Sequence, residues 1–237
     1  MQLVHEESLG DTLNACEELF FWNKPVEKEA AEEVALWIAS RHGLPEAYNN
    51  TFAPKEGEAK QPWRCFIGDE IRLGGGRQHI LGEESSRALF RLDVELPKVQ
   101  KALTAANQQL AEMIDPSKGF YCCYYCTVGM WRNLAWGGLD QQEERLARGM
   151  ETLREHRLVA GNWQGFPFWY TLHALWDMVE SGRGKEDALA EFAWVAPYLK
   201  RRLQRLKSWE PWISRRAELA NRILDTVKVD EVEELAE

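Results

Sequence analysis

Apolar and polar residues alternate at helical spacing along most of the chain. The segments 97–113 and 140–159 each carry one apolar stripe, which predicts helices with one buried face. In the first of these segments the stripe consists of Val99, Leu103, Ala106, Leu110 and Met113. The segments 120–137 and 166–181 are apolar on almost every side, so they are predicted to be helices that are buried all round.

Further helices and one long interruption complete this pattern. The further helical segments are 11–22, 25–43, 77–92, 185–206 with a bend at Pro197, and a last helix after Pro211. Pro25 fits a first helical position, and Gly43 fits the end of that helix. The segment 44–76 is rich in proline and glycine, so we predict a long irregular insertion that is either a lid or partly mobile. Its middle is expected to pack onto the body through Trp63, Cys65, Phe66 and Ile67.

Fully apolar helices recur about every 45 residues, a period typical of repeated helical hairpins. Tyr125 and Tyr170 occupy equivalent positions in two of these helices. We therefore predict one all-α domain over residues 1–237, built of αα-hairpins in two layers and arranged as a toroid or an open arc. The chain ends in an acidic tail, residues 230–237.

The segment 153–163, Leu-Arg-Glu-His-Arg-Leu-Val-Ala-Gly-Asn-Trp, resembles a known repeat. Squalene and other terpenoid cyclases and protein prenyltransferases share a repeat in which leucine is followed by glutamine and then by Gly-x-Trp. The resemblance covers residues 77–200 and implies an αα-toroid whose inner helices surround an apolar cavity. Arg157 stands where that repeat has glutamine, and the Asp-x-Asp-Asp acid of squalene-type cyclases is absent. The chain is therefore identified as a short relative of this superfamily without that acid.

Composition narrows the classes of partner. The formal net charge is -9, which disfavours binding to nucleic-acid phosphates. No stretch reaches the eighteen or so apolar residues that a membrane-spanning helix needs, and the N-terminus does not have the pattern of a signal peptide. We therefore expect a cytoplasmic protein whose five cysteines are thiols.

Polar residues interrupt the buried helices at equivalent positions. The repeat places Glu83 level with His173, and Arg87 level with Arg132 and Asp177, so Arg132 is expected to reach Asp177. His173 and Asp177 share a helix face, and a carboxylate beside an imidazole suits a general base near neutral pH. We predict a polar patch in which Glu83, Arg132, His173 and Asp177 are candidate catalytic residues. The same set suits a buried ion-pair network that locks the hairpins together, and both interpretations stay open.

The cysteines and a glycine triplet offer further chemistry. Cys122 and Cys126, with Cys65 from the insertion, are candidate ligands for zinc or an iron–sulfur cluster, and Asp177, Cys126 and His173 form another conceivable zinc set. Core packing of the thiols is the alternative, and we expect no cofactor. The triplet at residues 74–76 is predicted to be a hinge, with anion binding as the alternative.

The predicted function is a small-molecule module. A hydrophobic, isoprenoid-like ligand would be bound or transformed in an aromatic-lined cavity between the inner helices. The candidate ligand-binding residues are Tyr125, Trp131, Tyr170, Trp176 and Arg87. The alternative is a non-enzymatic scaffold that binds a protein partner on its curved surface.

Overall fold

The computed structural model describes residues 2–72, 74–115, 117–206 and 212–234, with Gly74 and residues 229–234 described by their backbone alone. These residues form nine α-helices. The helices are α1 (Leu9–Phe21), α2 (Lys28–Ser40), α3 (Gly74–Leu92), α4 (Pro97–Met113), α5 (Tyr124–Trp136), α6 (Gln142–Glu155), α7 (Phe168–Ser181), α8 (Lys185–Leu203) and α9 (Ile213–Glu234). The all-α character expected from the apolar pattern is confirmed. Pro211, Lys207 and the last three residues of the acidic tail lie outside the described residues.

Several helix boundaries differ from the sequence prediction, among them the start of α3 and both ends of α2, which ends at Ser40 and not at Gly43. Pro25 is not a first helical position, because α2 begins at Lys28 after the extended N-cap residue Glu27. The glycines at 74–76 form the first turn of α3 and not a hinge. Arg77 holds this turn in place, since its Nε donates a hydrogen bond of 2.7 Å to the Ala59 carbonyl.

The segment between α2 and α3 has little regular structure. It contains two short 3₁₀ turns, Tyr48–Asn50 and Glu58–Lys60, and an antiparallel hairpin of β1 (Trp63–Arg64) and β2 (Glu70–Ile71). As the sequence predicted, its apolar middle is buried, including Trp63, Cys65, Phe66 and Ile67.

Glu58 ties this insertion to the start of α1. Its carboxylate accepts hydrogen bonds from the Leu9 amide at 3.0 Å and from the Gly10 amide at 2.8 Å. An anion is favourable at this position, because the first amides of a helix have no partner within the helix. Gly10 also lets the insertion approach closely, since a Cβ there would overlap the Trp63 indole.

Three helices form a central row, and three others pack against it. α3, α5 and α7 lie side by side as a central row, while α4, α6 and α8 each pack against the central helix that precedes them. His79 of α3 contacts Cys126 of α5, and Glu84 farther along α3 contacts Arg132 farther along α5. α3 and α5 therefore run in the same direction, which brings equivalent positions of the two helices together.

One face of the central row is covered by α1 and by the insertion. Glu17 of α1 contacts Arg87, Arg132 and His173, one residue on each central helix. Phe66, in the turn between β1 and β2, lies with its ring 5.9 Å from the His173 ring. The polar residues of the central helices therefore face other protein groups. None of the helices in the described ranges is long and apolar enough to cross a membrane.

Candidate functional site

Six charged or polar side chains meet where α1 crosses the central row, and we call them the buried polar cluster. All six are at most 6% exposed. They are Glu17, Glu84, Arg87, Arg132, His173 and Asp177. Buried charges must be paired to be tolerated, so the pairing among these side chains decides what the cluster can do.

Arg132 binds the three carboxylates of the cluster. Its Nε donates to Asp177 Oδ2 at 2.7 Å, its Nη1 donates to Glu84 Oε1 at 2.7 Å, and its Nη2 lies 3.0 Å from Glu17 Oε1. The contact with Asp177 is the one expected from the sequence. Arg87 donates to Asp177 Oδ1 at 2.8 Å and to Glu17. Each guanidinium therefore bridges at least two helices through charge-assisted hydrogen bonds.

His173 lies at the covered side of this network. Its Nε2 is 3.1 Å from Glu17 Oε1, and its ring is in edge contact with Phe21 at 5.6 Å. Its Nδ1 is buried and has no hydrogen-bond partner in the structure. Burial, followed by the charge of Arg132, lowers the pKa of His173 below 6.5, so the imidazole is neutral at neutral pH.

Glu17 and Asp177 are held in their charged form. Burial alone would raise the pKa of Glu17, but Arg87, Arg132 and the hydrogen bond with His173 together hold this pKa well below 4.5. Burial likewise opposes ionisation of Asp177, whereas Arg132 and Arg87 bring its pKa below 3.8. The ligand atoms of Glu17, His173 and Asp177 lie within 4.8 Å of one another, as in a metal site. However, Arg132 already supplies positive charge to these groups.

Glu83 lies apart from the polar cluster, although the sequence placed it in the same patch. Both of its carboxyl oxygens are buried without a hydrogen-bond partner. It packs against Gly129 of α5, where a Cβ would overlap the carboxyl group. Burial, followed by the charges of Glu84 and Cys123, raises the pKa of Glu83 well above 4.5. Folding therefore favours the protonated form of this carboxyl group.

The four aromatic residues that the sequence predicted to bind the ligand lie in different surroundings. Tyr170 is fully buried, and its hydroxyl donates to Glu84 Oε1 at 2.6 Å. Trp131 stacks on Phe166 at 5.3 Å. Trp176 stacks on Phe192 at 6.4 Å, and Tyr125 lines a small pocket of about 90 Å³ with Cys123, Gly76 and residues 70–72.

A larger pocket lies between α1, α3, α4 and α5. It has a volume of about 760 Å³, and its walls include the rings of Phe20, Phe90 and Trp136. Arg91 also lines it, with the guanidinium 4.4 Å from the Phe20 ring centre and 4.6 Å from the Trp136 ring centre. None of the residues that the sequence offered as candidates lines this pocket.

Arg91 connects this pocket to the buried polar cluster. Its Nη1 lies 3.8 Å from Asp177 Oδ1, which is an ion-pair distance and too long for a hydrogen bond. No acceptor among the described residues takes a hydrogen bond from its guanidinium. Its side chain is only 11% exposed, and burial lowers its pKa, so a bound anion would find a poorly hydrated cation there.

Four potential metal ligands meet at the other end of α3 and α5, and we call them the thiol–imidazole cluster: His79, Cys122, Cys123 and Cys126. The ligand atoms of His79, Cys122 and Cys126 all lie within 4.8 Å of one another. Cys126 Sγ is 3.5 Å from His79 Nδ1 and 3.5 Å from Cys123 Sγ. Burial lowers the pKa of His79 to about 4, so its imidazole is neutral at neutral pH.

The start of α5 explains how these thiols come together. Cys123 is the extended N-cap residue of α5, and Cys126 lies in the first turn. Hydrogen bonding by Cys126 lowers the pKa of Cys123 to about 6 and raises the pKa of Cys126. Cys65 belongs to neither group of potential metal ligands in the described residues, because it lies in the turn after β1. Asp177 and His173 are likewise grouped with Glu17 and not with Cys126.

Several residues of these sites were not candidates from the sequence. Glu17 had a detectable signal, since it is a charged residue on a helix with Leu13, Phe20 and Phe21 one turn away. Arg91 had no such signal, because Arg87 and Glu95 lie one turn away from it. His79 did have one, because the offset of about 45 residues places it within a turn of the position equivalent to Cys126. Only the folded chain shows which of these groups meet.

No protein-family model, curated protein or solved structure matches this chain. The function is therefore argued from the geometry of the sites alone.

Proposed function

We propose that the protein binds a small ligand with an apolar body and an anionic head group in the pocket between α1, α3, α4 and α5. The observation that carries this proposal is the position of Arg91, whose guanidinium lies between Phe20 and Trp136 and has no hydrogen-bond acceptor in the part of the chain that the structure describes. The pocket volume of about 760 Å³ is typical of small-molecule sites. Isoprenoid-like ligands, as implied by the resemblance to terpenoid cyclases and prenyltransferases, belong to this class when they carry a phosphate.

The surroundings of Arg91 favour an anion over a neutral polar group. Aromatic faces on two sides remove water from the guanidinium and leave its edge for a planar, bidentate acceptor. Leu19, Leu89 and Leu103 supply apolar wall for the body of the ligand. Lys24 lies at the rim, but it is already paired with Glu18 at 2.8 Å, so Arg91 is the main anchor.

Calorimetric titration with three probes tests the proposal. Decanoate carries a carboxylate, geranyl diphosphate carries a diphosphate, and geraniol is an uncharged control. We expect at least one anion to bind, and to bind about tenfold or more tightly than geraniol, as the strength of charge-assisted hydrogen bonds predicts. The head group of the tighter probe distinguishes a carboxylate ligand from a phosphorylated one.

The variant Arg91→Met keeps an apolar stem of similar shape and removes the charge. We expect this variant to bind the anionic probe about tenfold more weakly than the wild type and to bind geraniol with nearly unchanged affinity. Lys101→Met is the matched control, because Lys101 is an exposed residue of α4 that does not line the pocket. Equal affinity of the wild type and Arg91→Met for every probe would contradict the proposal.

A non-enzymatic scaffold is the second proposal, and it is favoured by one surface feature. Leu158 is 39% exposed and Val159 is fully exposed, next to each other in the connection between α6 and α7. Adjacent apolar residues of this kind occur at protein–protein contacts. The scaffold gains support if no probe binds the pocket and if Val159→Ser weakens the capture of a defined protein partner.

A further inference from the structure

The thiol–imidazole cluster is independent of the proposed ligand pocket. It lies at the N-terminal ends of α3 and α5, whereas Arg91 and Trp136 lie at the C-terminal ends of the same helices. Three cysteines and one histidine from two helices are the donor set that zinc takes in proteins. The spacing of their ligand atoms decides whether one ion fits.

The distances of His79, Cys122 and Cys126 match a single tetrahedral ion, whereas Cys123 Sγ lies outside this close group and must turn towards it to become the fourth ligand. A zinc ion with Zn–S bonds of about 2.3 Å holds its sulfurs about 3.8 Å apart, and an imidazole nitrogen lies slightly closer to each sulfur. Cys126 Sγ lies 3.5 Å from Cys123 Sγ and 3.5 Å from His79 Nδ1. The ligand atoms of His79, Cys122 and Cys126 are within 4.8 Å of one another, which is tighter than a polynuclear iron–sulfur cluster allows.

The surroundings also fit a bound cation. His79 and Cys126 are buried, and Cys122 is exposed, so the cluster has both a fixed interior side and an entry from solvent. The Tyr48 ring of the insertion packs on the His79 ring and fixes its orientation. Glu83, one turn after His79 on α3, is a buried carboxyl group whose two oxygens have no partner. A carboxyl group is the usual outer partner of a metal-bound imidazole.

We propose that His79, Cys122 and Cys126, with Cys123 as the fourth ligand, bind one zinc ion where α5 begins. The ion would join α3 to α5 at the end opposite to the buried polar cluster. Binding releases thiol protons, because zinc takes thiolates as ligands. The alternative is that the thiols of Cys123 and Cys126 are oxidised to a disulfide.

Metal analysis of the protein purified under reducing conditions from zinc-supplemented cells is the first measurement. We expect about one zinc per chain and no iron, and cobalt added to the metal-free protein should give the visible absorption of tetrahedral thiolate coordination. Cys126→Ser and His79→Gln should each lower zinc affinity by more than about tenfold. Cys65→Ser is the control, because this buried cysteine lies outside the cluster, and it should keep the wild-type zinc content.

A second measurement uses the wild-type chain, so it does not depend on whether a variant folds. Zinc should slow alkylation of the exposed Cys122 about tenfold or more, as expected when a thiolate is held by a metal, and peptide mass spectrometry identifies the modified site. An unchanged alkylation rate of Cys122 together with absent zinc would overturn the proposal. A Cys123–Cys126 disulfide that dissolved oxygen forms as fast in protein with added zinc as in zinc-free protein would also overturn it and assign the pair to redox chemistry.

Discussion

Arg132 and Asp177 form an ion pair of 2.7 Å that joins α5 to α7, and both side chains are at most 2% exposed. Neither charge reaches water, so each depends on the other and on the same surrounding groups. Glu17 and Glu84 also bind Arg132, while Arg87 also binds Asp177. Such a network adds directional contacts between helices whose other contacts are largely apolar, and it requires that every member stays paired.

Asp177→Asn should destabilise the protein strongly. The substitution leaves Arg87 and Arg132 buried with one negative partner fewer, and breaking a buried pair costs about 3–5 kcal/mol. Urea unfolding followed by circular dichroism measures the change in free energy. The control is Asp187→Asn, whose partner Arg154 is 36% exposed, so its loss should cost less than about 1 kcal/mol. Similar effects of the two variants would show that the buried network contributes little.

Stability should fall in two steps as the pH is lowered. The folded chain keeps His173 neutral, whereas the unfolded chain takes up a proton at this residue below pH 6.5. The first loss of stability therefore begins as the pH falls below 6.5. Glu17 and Asp177 have lowered pKa values in the folded chain. Their contribution to the free energy of unfolding is therefore complete above pH 4.5, and it is lost as the pH falls through the pKa values of the folded chain.

His173→Gln separates these two steps. The variant should lose the part of the pH dependence below 6.5 that comes from His173, should keep the part that comes from His79, and should keep the step that begins below 4.5. Unfolding free energies of both proteins between pH 4 and pH 8 check this expectation, with pH values spaced by about half a unit. An identical pH profile for the wild type and the variant would mean that His173 does not titrate on unfolding.

Glu83→Gln should stabilise the metal-free protein at neutral pH. Folding raises the pKa of this carboxyl group, whereas the unfolded chain releases the proton above 4.5, so rising pH favours unfolding in the wild type. Glutamine is neutral in both states and removes this cost. The stabilisation should therefore grow from pH 4 to pH 7, as measured by urea unfolding. Glu112→Gln, at an exposed position of α4, should show no such trend.

Gly129→Ala and Gly75→Ala should change stability in opposite directions. A methyl group on Gly129 would overlap the Glu83 carboxyl and approach the Tyr170 hydroxyl to 3.2 Å, so we expect a loss of about 1–3 kcal/mol. A methyl group on Gly75 meets no atom within 4 Å, and alanine should gain about 0.5–1 kcal/mol in this helical position. Thermal unfolding of the two variants measures both changes. A gain in Gly129→Ala would contradict the close packing of α3 on α5.

Helix positions and burial could be predicted from the sequence because they depend on local spacing. The apolar stripe of α4 and the all-round apolar character of α5 and α7 follow directly from residue order. The pairing of Arg132 with Asp177 was also accessible, since it requires only that equivalent positions of neighbouring helices lie side by side. The starts of α2 and α3 were less accessible. Proline and glycine allow several local structures, and tertiary contacts such as that of Arg77 select among them.

The amino-acid sequence by itself determined that this is a helical protein whose buried helices carry charged residues at matching levels. Only the tertiary structure decided what those residues face. α1 and the insertion cover the central row, so His173 meets Glu17 and Phe66, while Arg91 faces a pocket and His79 meets Cys122 and Cys126. The physical reason is that helix formation depends on neighbours one turn away, whereas a site depends on side chains that are distant in the chain and meet only when the core packs.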